Sequence, residues 1–391
     1  MIALLALVGC AKPVDPLLAQ REALTLALEA PLPEGWAPQA VMVVRQSAVD
    51  DVVAEALGRA MAAVAAPVKQ SFFGLTASMT PTVRVTAARV TAGEGCESCL
   101  LVTLDLAGAA ELALENRTGR KEQRVDWTGQ ASGTVAVALD EERRQVVASI
   151  AEPERWRASV DFAQVPGGWN SAISSALSAG LQTQVSRPAL PALPLMRLQE
   201  DPRARLRGVR LRTAPEGLAV DFAFALGTAG TVDDLSGALP DGADWAALVP
   251  EATALGVLQA AALAQPFDPT RPATPELVGL SLDGEFVLDV NAWPTRGRAA
   301  PRAVAVLGEV VLVEGDVVVD AKGALLEDTA LPDWVTLIYG DRLLEELTDA
   351  VSLTVPGVRT QSLGGVALSG RTTAVSTADG VMRLSGDFSL E

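Results

Sequence analysis

Short stretches of alternating apolar and polar residues recur along most of this chain, and this alternation constrains the fold more than any other feature. A period of two places successive side chains on opposite faces of a strand, so each stretch predicts a strand with one buried face. Glycine, proline, aspartate and asparagine separate the stretches. The chain therefore predicts a largely antiparallel β structure. The clearest examples are residues 82–86, 100–106, 133–139, 218–224, 286–290 and 309–313.

Four longer segments repeat their apolar residues with the period of a helix instead. The first begins near Ser47, a predicted N-cap that Asp50, three residues on, would complete as a variant capping box, and Pro67 ends it. The other three begin near residues 169, 250 and 341. Each predicts a helix with one apolar stripe. The stripes supply the candidate ligand-contacting side chains, which are Val53, Leu57, Met61, Ile173, Leu177, Leu181, Leu255, Leu258, Leu344 and Leu347.

The two halves of the chain share one order of elements. A short apolar strand runs directly into a long helix at residue 41 and again at residue 245, and two strands after a proline-bearing linker close each half. Weak internal similarity of this kind predicts a structural repeat. We therefore expect an α+β fold of two tandem modules, residues 20–230 and 231–391. The boundary is expected in the acidic, glycine-rich stretch 227–244.

The N-terminus indicates the compartment. An apolar run too short to span a bilayer ends in Leu7-Val8-Gly9-Cys10, which resembles a bacterial lipobox. The resemblance implies cleavage before Cys10 and attachment of a diacylglycerol to its sulfur, although a basic segment before the apolar run is missing. Residues 1–19 would then be signal peptide and tether, and the chain a periplasm-facing or surface lipoprotein of the outer membrane. An ordinary signal fragment is the alternative.

Composition excludes several classes of function. The chain has no histidine, which removes the usual general base and the commonest metal ligand. A net charge of −17 disfavours nucleic acid as a partner. Cys96 and Cys99 form a Cys-x-x-Cys between strand-like segments, where a disulfide at a hairpin tip is favoured over a redox or half-zinc site. We therefore expect no enzyme, no metal site and no cofactor.

One short stretch departs from the acidic character of the chain. It contains Arg197, Arg203, Arg205, Arg207, Arg210 and Arg212. Two interpretations stay open here, namely solvated strand edges and a contact for a lipid headgroup or a protein partner.

The order of elements in each half resembles that of the tandem modules of the TULIP (tubular lipid-binding) superfamily, which includes the bactericidal/permeability-increasing protein family. The closest local likeness is Leu193-Pro194-Leu195-Met196-Arg197, before two strands. The resemblance implies a highly curved antiparallel sheet around a long helix in each module, a boomerang-like body, and an acyl chain between helix and sheet. Two features depart from the family pattern, since this chain is acidic where lipopolysaccharide-binding members are basic, and its Cys96 and Cys99 are neighbours.

The resemblance thus implies a lipid-binding or lipid-transfer lipoprotein that carries a phospholipid or fatty acid. Small side chains on the helices, such as Ala54, Ala56 and Ala260, favour a hollow seam because bulky residues would fill it. A close-packed core is the alternative for the same stripes. In that case the chain would be a non-catalytic scaffold of the cell envelope that binds another envelope protein.

Overall fold

The computed structural model describes the chain from Asp15 to Leu390. Gaps fall at residues 65–67, 73–74, 94–97, 117–118, 141, 143–144, 153–154, 163–174, 176–192, 198–205, 227–228, 272, 296–299, 327–352, 356 and 364–365.

The described part of the chain contains helices α1 (Leu18–Glu29), α2 (Gln46–Val64) and α3 (Glu251–Ala264). The helical period predicted α2 and α3 at these positions, and both predictions are confirmed. The helices predicted near residues 169 and 341 lie outside the described residues. Helix α1 falls in a segment for which we predicted no helix. None of these three helices is both long and apolar enough to cross a bilayer.

The predicted N-cap of α2 is wrong. The helix begins at Gln46, so Ser47 already lies in the first turn. Asp50, expected to complete a capping box, instead accepts hydrogen bonds from the backbone N–H of Val90 (2.9 Å) and the side-chain amide of Gln46 (2.9 Å). These contacts attach the start of α2 to a neighbouring strand, so tertiary contacts replace the local cap.

A seven-stranded antiparallel sheet joins the two halves of the chain. The halves meet where β1 pairs with β12, with Val43 opposite Ala246. The strands beyond β1 all come from the N-terminal half, and those beyond β12 all come from the C-terminal half. In spatial order it contains β10 (Leu206–Ala214), β11 (Gly217–Phe224), β1 (Ala40–Arg45), β12 (Trp245–Pro250), β20 (Val381–Leu390), β19 (Val366–Ala378) and β18 (Val358–Leu363).

Each half adds a second antiparallel sheet. In the N-terminal half two long strands pair along their full length, and shorter strands flank them. The strands of this sheet are β2 (Val68–Phe72), β3 (Leu75–Pro81), β4 (Arg84–Ala92), β5 (Cys99–Asn116), β6 (Gly119–Asp140), β7 (Gln145–Ala151), β8 (Arg157–Phe162) and β9 (Leu193–Arg197). The C-terminal half contributes β13 (Ala273–Ser281), β14 (Phe286–Pro294), β15 (Arg302–Val313), β16 (Asp316–Leu326) and β17 (Leu353–Val355), paired in that order.

The six stretches of alternating residues all fall on these strands, except that β4 begins at Arg84 and leaves residues 82–83 before it. Mainly antiparallel sheets with a few helices give an α+β fold, as predicted. The curvature of the sheets, the boomerang-like body and the boundary at residue 230 stay predictions.

Three apolar clusters form the core in the described residues. One lies under α2 and includes Val102 and Leu104, and another lies under α3 and includes Leu288 and Val306. The third covers one face of the central sheet, where the segment 232–243 packs on β1, β11 and β12. Leu235 and Ala238 of this segment are buried. The stretch between the halves is thus a packed cover and not a free linker.

Candidate functional site

A cleft of about 380 Å³ lies between α1, α3 and β13 in the C-terminal half. Helix α1 belongs to the N-terminal part of the sequence but forms one wall of this C-terminal site. The cleft extends from the buried Ala260 to the exposed Val278, so it opens to solvent at one end. Its lining residues are Gln20, Ala23, Leu24, Gly256, Gln259, Ala260, Leu263, Glu276, Leu277 and Val278.

Helix α1 is attached to α3 through its first turn. Leu17, immediately before the helix, is only 2 % exposed, and its N–H donates to the carboxylate of Asp15 at 3.0 Å. The guanidinium of Arg21 pairs with Asp15 at 2.9 Å and donates to the carbonyls of Leu263 and Gln265. The last carbonyls of a helix have no partner within it, so Arg21 caps the C-terminal end of α3. This contact fixes α1 across the cleft.

The polar side of the cleft is organised around the carboxylate of Glu276. Its Oε2 atom accepts hydrogen bonds from the indole N–H of Trp293 (2.6 Å) and the amide of Asn291 (3.2 Å). Its Oε1 atom accepts one from the amide of Gln20 on α1. Burial raises the pKa of Glu276, but these three hydrogen bonds outweigh burial, and the pKa is lowered from its usual value. Glu276 is therefore ionised at neutral pH.

The two faces of α3 have different roles. Leu255 and Leu258, both predicted ligand contacts, pack against the apolar cluster under the helix. The residues that line the cleft are Gly256, Gln259, Ala260 and Leu263. The side chain of Gln259 is held by a hydrogen bond of 2.8 Å to the carbonyl of Leu277 on β13. Ala260 was expected to leave space beside the helix, and the cleft lies against it.

The other predicted ligand contacts lie elsewhere. On α2, Val53 and Leu57 are half-buried and pack against the N-terminal cluster. For Met61, only the backbone is described. The remaining predicted contacts, Ile173, Leu177, Leu181, Leu344 and Leu347, lie outside the described residues.

The cysteine predictions fall largely outside the described residues as well. Cys10 and Cys96 lie there, whereas Cys99 begins β5 and is buried. Lipidation of Cys10 and a Cys96–Cys99 bridge therefore stay predictions.

Three of the six clustered arginines have intramolecular partners. Arg210 and Arg212 pair with the buried Asp221 at 3.1 and 3.0 Å, and Arg207 donates to the carbonyl of Ala30. At these three positions the interpretation as a headgroup or partner contact gains no support, because each guanidinium is engaged within the fold.

Most of the cleft was missed at the sequence level because α1 was not predicted. Two signals were present. Residues 18–29 are rich in alanine, leucine, glutamine and glutamate, which favour helices, and neither glycine nor proline interrupts them. Asp15 and Pro16 just before the segment are typical of a helix start. No sequence signal places α1 on α3, since that contact joins residues far apart in the chain.

No family model and no curated protein matches this chain. Among solved structures, the chain is similar to lipopolysaccharide binding protein, with a TM-score of 0.42 and 10 % identity over 90 % of this chain and 99 % of that one. It is also similar to P47 of Clostridium botulinum E1 (TM-score 0.45, 10 % identity, 90 % and 99 % covered) and P47 of Clostridium botulinum A2 (0.39, 9 %, 90 % and 97 %). At this level of similarity, a candidate function must rest on the cleft itself.

Proposed function

We propose that this chain is a non-catalytic lipid-binding lipoprotein of the bacterial cell envelope that holds one acyl chain in the cleft between α1, α3 and β13. The observation that carries the proposal is the lining of the cleft. Leucine, valine, alanine and glycine supply most of its residues, and each of the three walls adds one polar side chain, namely Gln20, Gln259 and Glu276. A cavity that combines apolar side chains with a few placed polar groups is typical of sites for small amphiphilic ligands.

The volume of the cleft suits a single chain. Ligand pockets typically enclose roughly 300–1,000 Å³, and this cleft of about 380 Å³ lies near the lower end. A group the size of a water molecule occupies about 30 Å³, so about a dozen methylene-sized groups fill the space. Each buried methylene contributes roughly 0.8 kcal/mol, or about a fourfold gain in affinity.

The proposed anchor would place this cleft close to a membrane. Cys10 precedes the buried Leu17 by a short segment, which reaches at most about 25 Å when fully extended. A diacylglycerol on Cys10 would therefore hold α1, and the cleft beside it, near the lipid surface. Exchange of acyl chains between the membrane and the cleft would then need little movement of the protein.

The chain-length dependence of binding to the full chain tests the cleft. We expect the affinity for 1-octanol, 1-decanol and 1-dodecanol, measured by isothermal titration calorimetry on protein purified without detergent, to rise about fourfold per methylene. The stoichiometry should be one alcohol per chain. Native mass spectrometry of the same preparation should show a co-purified lipid.

Matched variants locate the binding site. Ala23→Trp places an indole in the cleft from the exposed side of α1 and should abolish dodecanol binding, whereas Ala19→Trp, also exposed on α1 but outside the cleft lining, should not. Val278→Asp should weaken binding in the same way. Val313→Asp is its control, because Val278 and Val313 are 47 % and 48 % exposed on the same sheet and only Val278 lines the cleft.

Failure of all three alcohols to bind, with no lipid in the mass spectrum, would refute the proposal and favour the scaffold alternative. Binding that survives Ala23→Trp and Val278→Asp unchanged would refute this cleft as the site.

The anchor requires a separate test. We expect metabolic incorporation of labelled palmitate into the wild-type chain in a bacterial host, together with its recovery in the membrane fraction. Both should be lost in Cys10→Ser. Equal labelling of the two chains would contradict lipidation at Cys10.

A further inference from the structure

The cleft contains one charged group among its apolar side chains. Glu276 lines it, and the hydrogen bonds that hold the carboxylate all come from neutral donors, namely an indole and two amides. Neutral donors orient a carboxylate but leave its negative charge in place. Any ligand that enters the cleft therefore meets a fixed anion beside an apolar surface, where charges interact more strongly than in bulk water.

The two oxygens of this carboxylate differ in the number of further hydrogen bonds that each can accept. A carboxylate oxygen accepts about two hydrogen bonds. Trp293 and Asn291 both donate to Oε2, and both come from β14, the strand paired with β13. Oε1 accepts from Gln20 on α1 and keeps room for a second donor. The position open to a ligand is therefore Oε1, on the side of the cleft that faces α1.

The basic residue closest along the chain to the cleft-lining residues of α1 is already engaged. Arg21 follows the lining residue Gln20, but its guanidinium pairs with Asp15 and caps the carbonyls of Leu263 and Gln265. A carboxylate or phosphate head in the cleft would thus be repelled by Glu276, and Arg21 would not compensate this repulsion because its guanidinium already has other partners. The net charge of −17 on the whole chain also disfavours an anionic ligand.

From this arrangement, and resting on the proposed function, we infer that the cleft selects a single-chain amphiphile with a primary ammonium head, whose nitrogen donates to Oε1 of Glu276. The alkyl chain lies along Leu24, Leu263 and Leu277, and the ammonium group lies beside Glu276. Repulsion between two carboxylates disfavours a free fatty acid of the same length.

Three probes with the same twelve-carbon chain test the inference on the full chain. We expect dodecylamine to bind about tenfold more tightly than 1-dodecanol, and dodecanoate at least about tenfold more weakly, because a hydrogen bond to a charged group contributes more than a neutral one. Lysophosphatidylethanolamine and sphingosine then identify the source of the ammonium group. Tight binding of the first indicates a zwitterionic phospholipid head, and tight binding of the second alone indicates a long-chain amine.

A charge-matched pair of variants separates the site from non-specific attraction to an acidic protein. Glu276→Gln and Glu285→Gln each remove one negative charge, and Glu285 lies exposed in the turn between β13 and β14, outside the cleft lining. Glu276→Gln should abolish the preference for dodecylamine over dodecanol, whereas Glu285→Gln should leave this preference unchanged.

A second variant keeps the test decisive if Glu276→Gln is poorly folded. Gln20→Ala removes the donor that competes for Oε1, so the preference for dodecylamine over dodecanol should stay or increase. Loss of that preference in Gln20→Ala would overturn the inference, as would a preference that survives Glu276→Gln. If dodecanol binds and dodecylamine has no advantage, the ammonium inference fails and the proposed function stands. If none of the alcohols binds and no lipid co-purifies, the proposed function itself fails.

Discussion

Replacement of Asp221 by alanine should destabilise the fold more than any exposed charge change in the central sheet. Asp221 lies on β11, is completely buried, and pairs with Arg210 at 3.1 Å and Arg212 at 3.0 Å. The guanidinium of Arg210 also lies 4.8 Å from the ring centroid of Trp36, and Arg212 donates to the carbonyl of Val232. The carboxylate thus holds together β10, β11 and the two segments that cover them.

The magnitude follows from the exposure of the partners. Removal of one member of a fully buried ion pair costs about 3–5 kcal/mol, because the other charge is left uncompensated. Here the side chains of Arg210 and Arg212 are 27 % and 32 % exposed, so water partly rehydrates the guanidiniums in the variant. We therefore expect Asp221→Ala to lower the free energy of unfolding by about 2–4 kcal/mol.

Urea unfolding followed by far-ultraviolet circular dichroism measures this change. Asp387→Ala is a suitable control, because it removes the same charge from an exposed position on β20 of the same sheet, and it should shift the free energy by less than about 0.5 kcal/mol. A loss below about 1 kcal/mol for Asp221→Ala would refute the argument that this carboxylate compensates both arginines.

Three further changes test other parts of the structure. Gly133→Ala should lower the free energy of unfolding by about 2–3 kcal/mol, because the new Cβ would lie 2.1 Å from the ring of Trp156, and it should alter the near-ultraviolet signal of that residue. A Cβ added at the strand glycine Gly323 would meet no atom within 4 Å, so Gly323→Ala should be near neutral. The lowered pKa of Glu276 means that its carboxylate stabilises the fold above the ordinary glutamate pKa, and this stabilisation is lost as the pH falls through the folded-state pKa. Glu276→Gln should therefore flatten the loss of folding stability between about pH 5 and pH 3, measured by urea titrations. An unchanged pH dependence would contradict this expectation. Glu309→Gln breaks an exposed ion pair and should change the midpoint of thermal unfolding by less than about 1 °C, so a larger fall would mean that this pair is coupled to the core.

The sequence predicted the local elements well where one periodicity ran for many residues. The apolar stripe around Val53 and Leu57 predicted α2, the segment after Pro250 predicted α3, and the alternating stretches predicted strands that the structure confirms. It failed at Ser47, because the helix begins one residue earlier and Asp50 accepts from the backbone N–H of Val90 on β4 and from the side chain of Gln46 instead of completing a cap with Ser47. Local patterns report which side chains share a face but not which distant strand lies opposite that face.

The candidate site illustrates the same division. Of the residues that line the cleft, the sequence suggested only Ala260, through its small size on an apolar helix. The predicted contacts Leu255 and Leu258 pack into the core, because the wide apolar surface of α3 faces two neighbours and periodicity alone does not assign each stripe to one of them.

By itself, the sequence determined the α+β class, the strand-rich halves and the absence of histidine chemistry, since these depend on composition and short-range period. Only the tertiary structure decided that α1 crosses from the N-terminal part of the chain to α3, that Arg21 caps the end of α3, and that Glu276 meets Gln20 inside a cleft. These contacts join residues more than 200 positions apart. They form because the complete fold brings a buried Leu17, an unsatisfied helix end and a strand carboxylate to the same place, which no local pattern encodes.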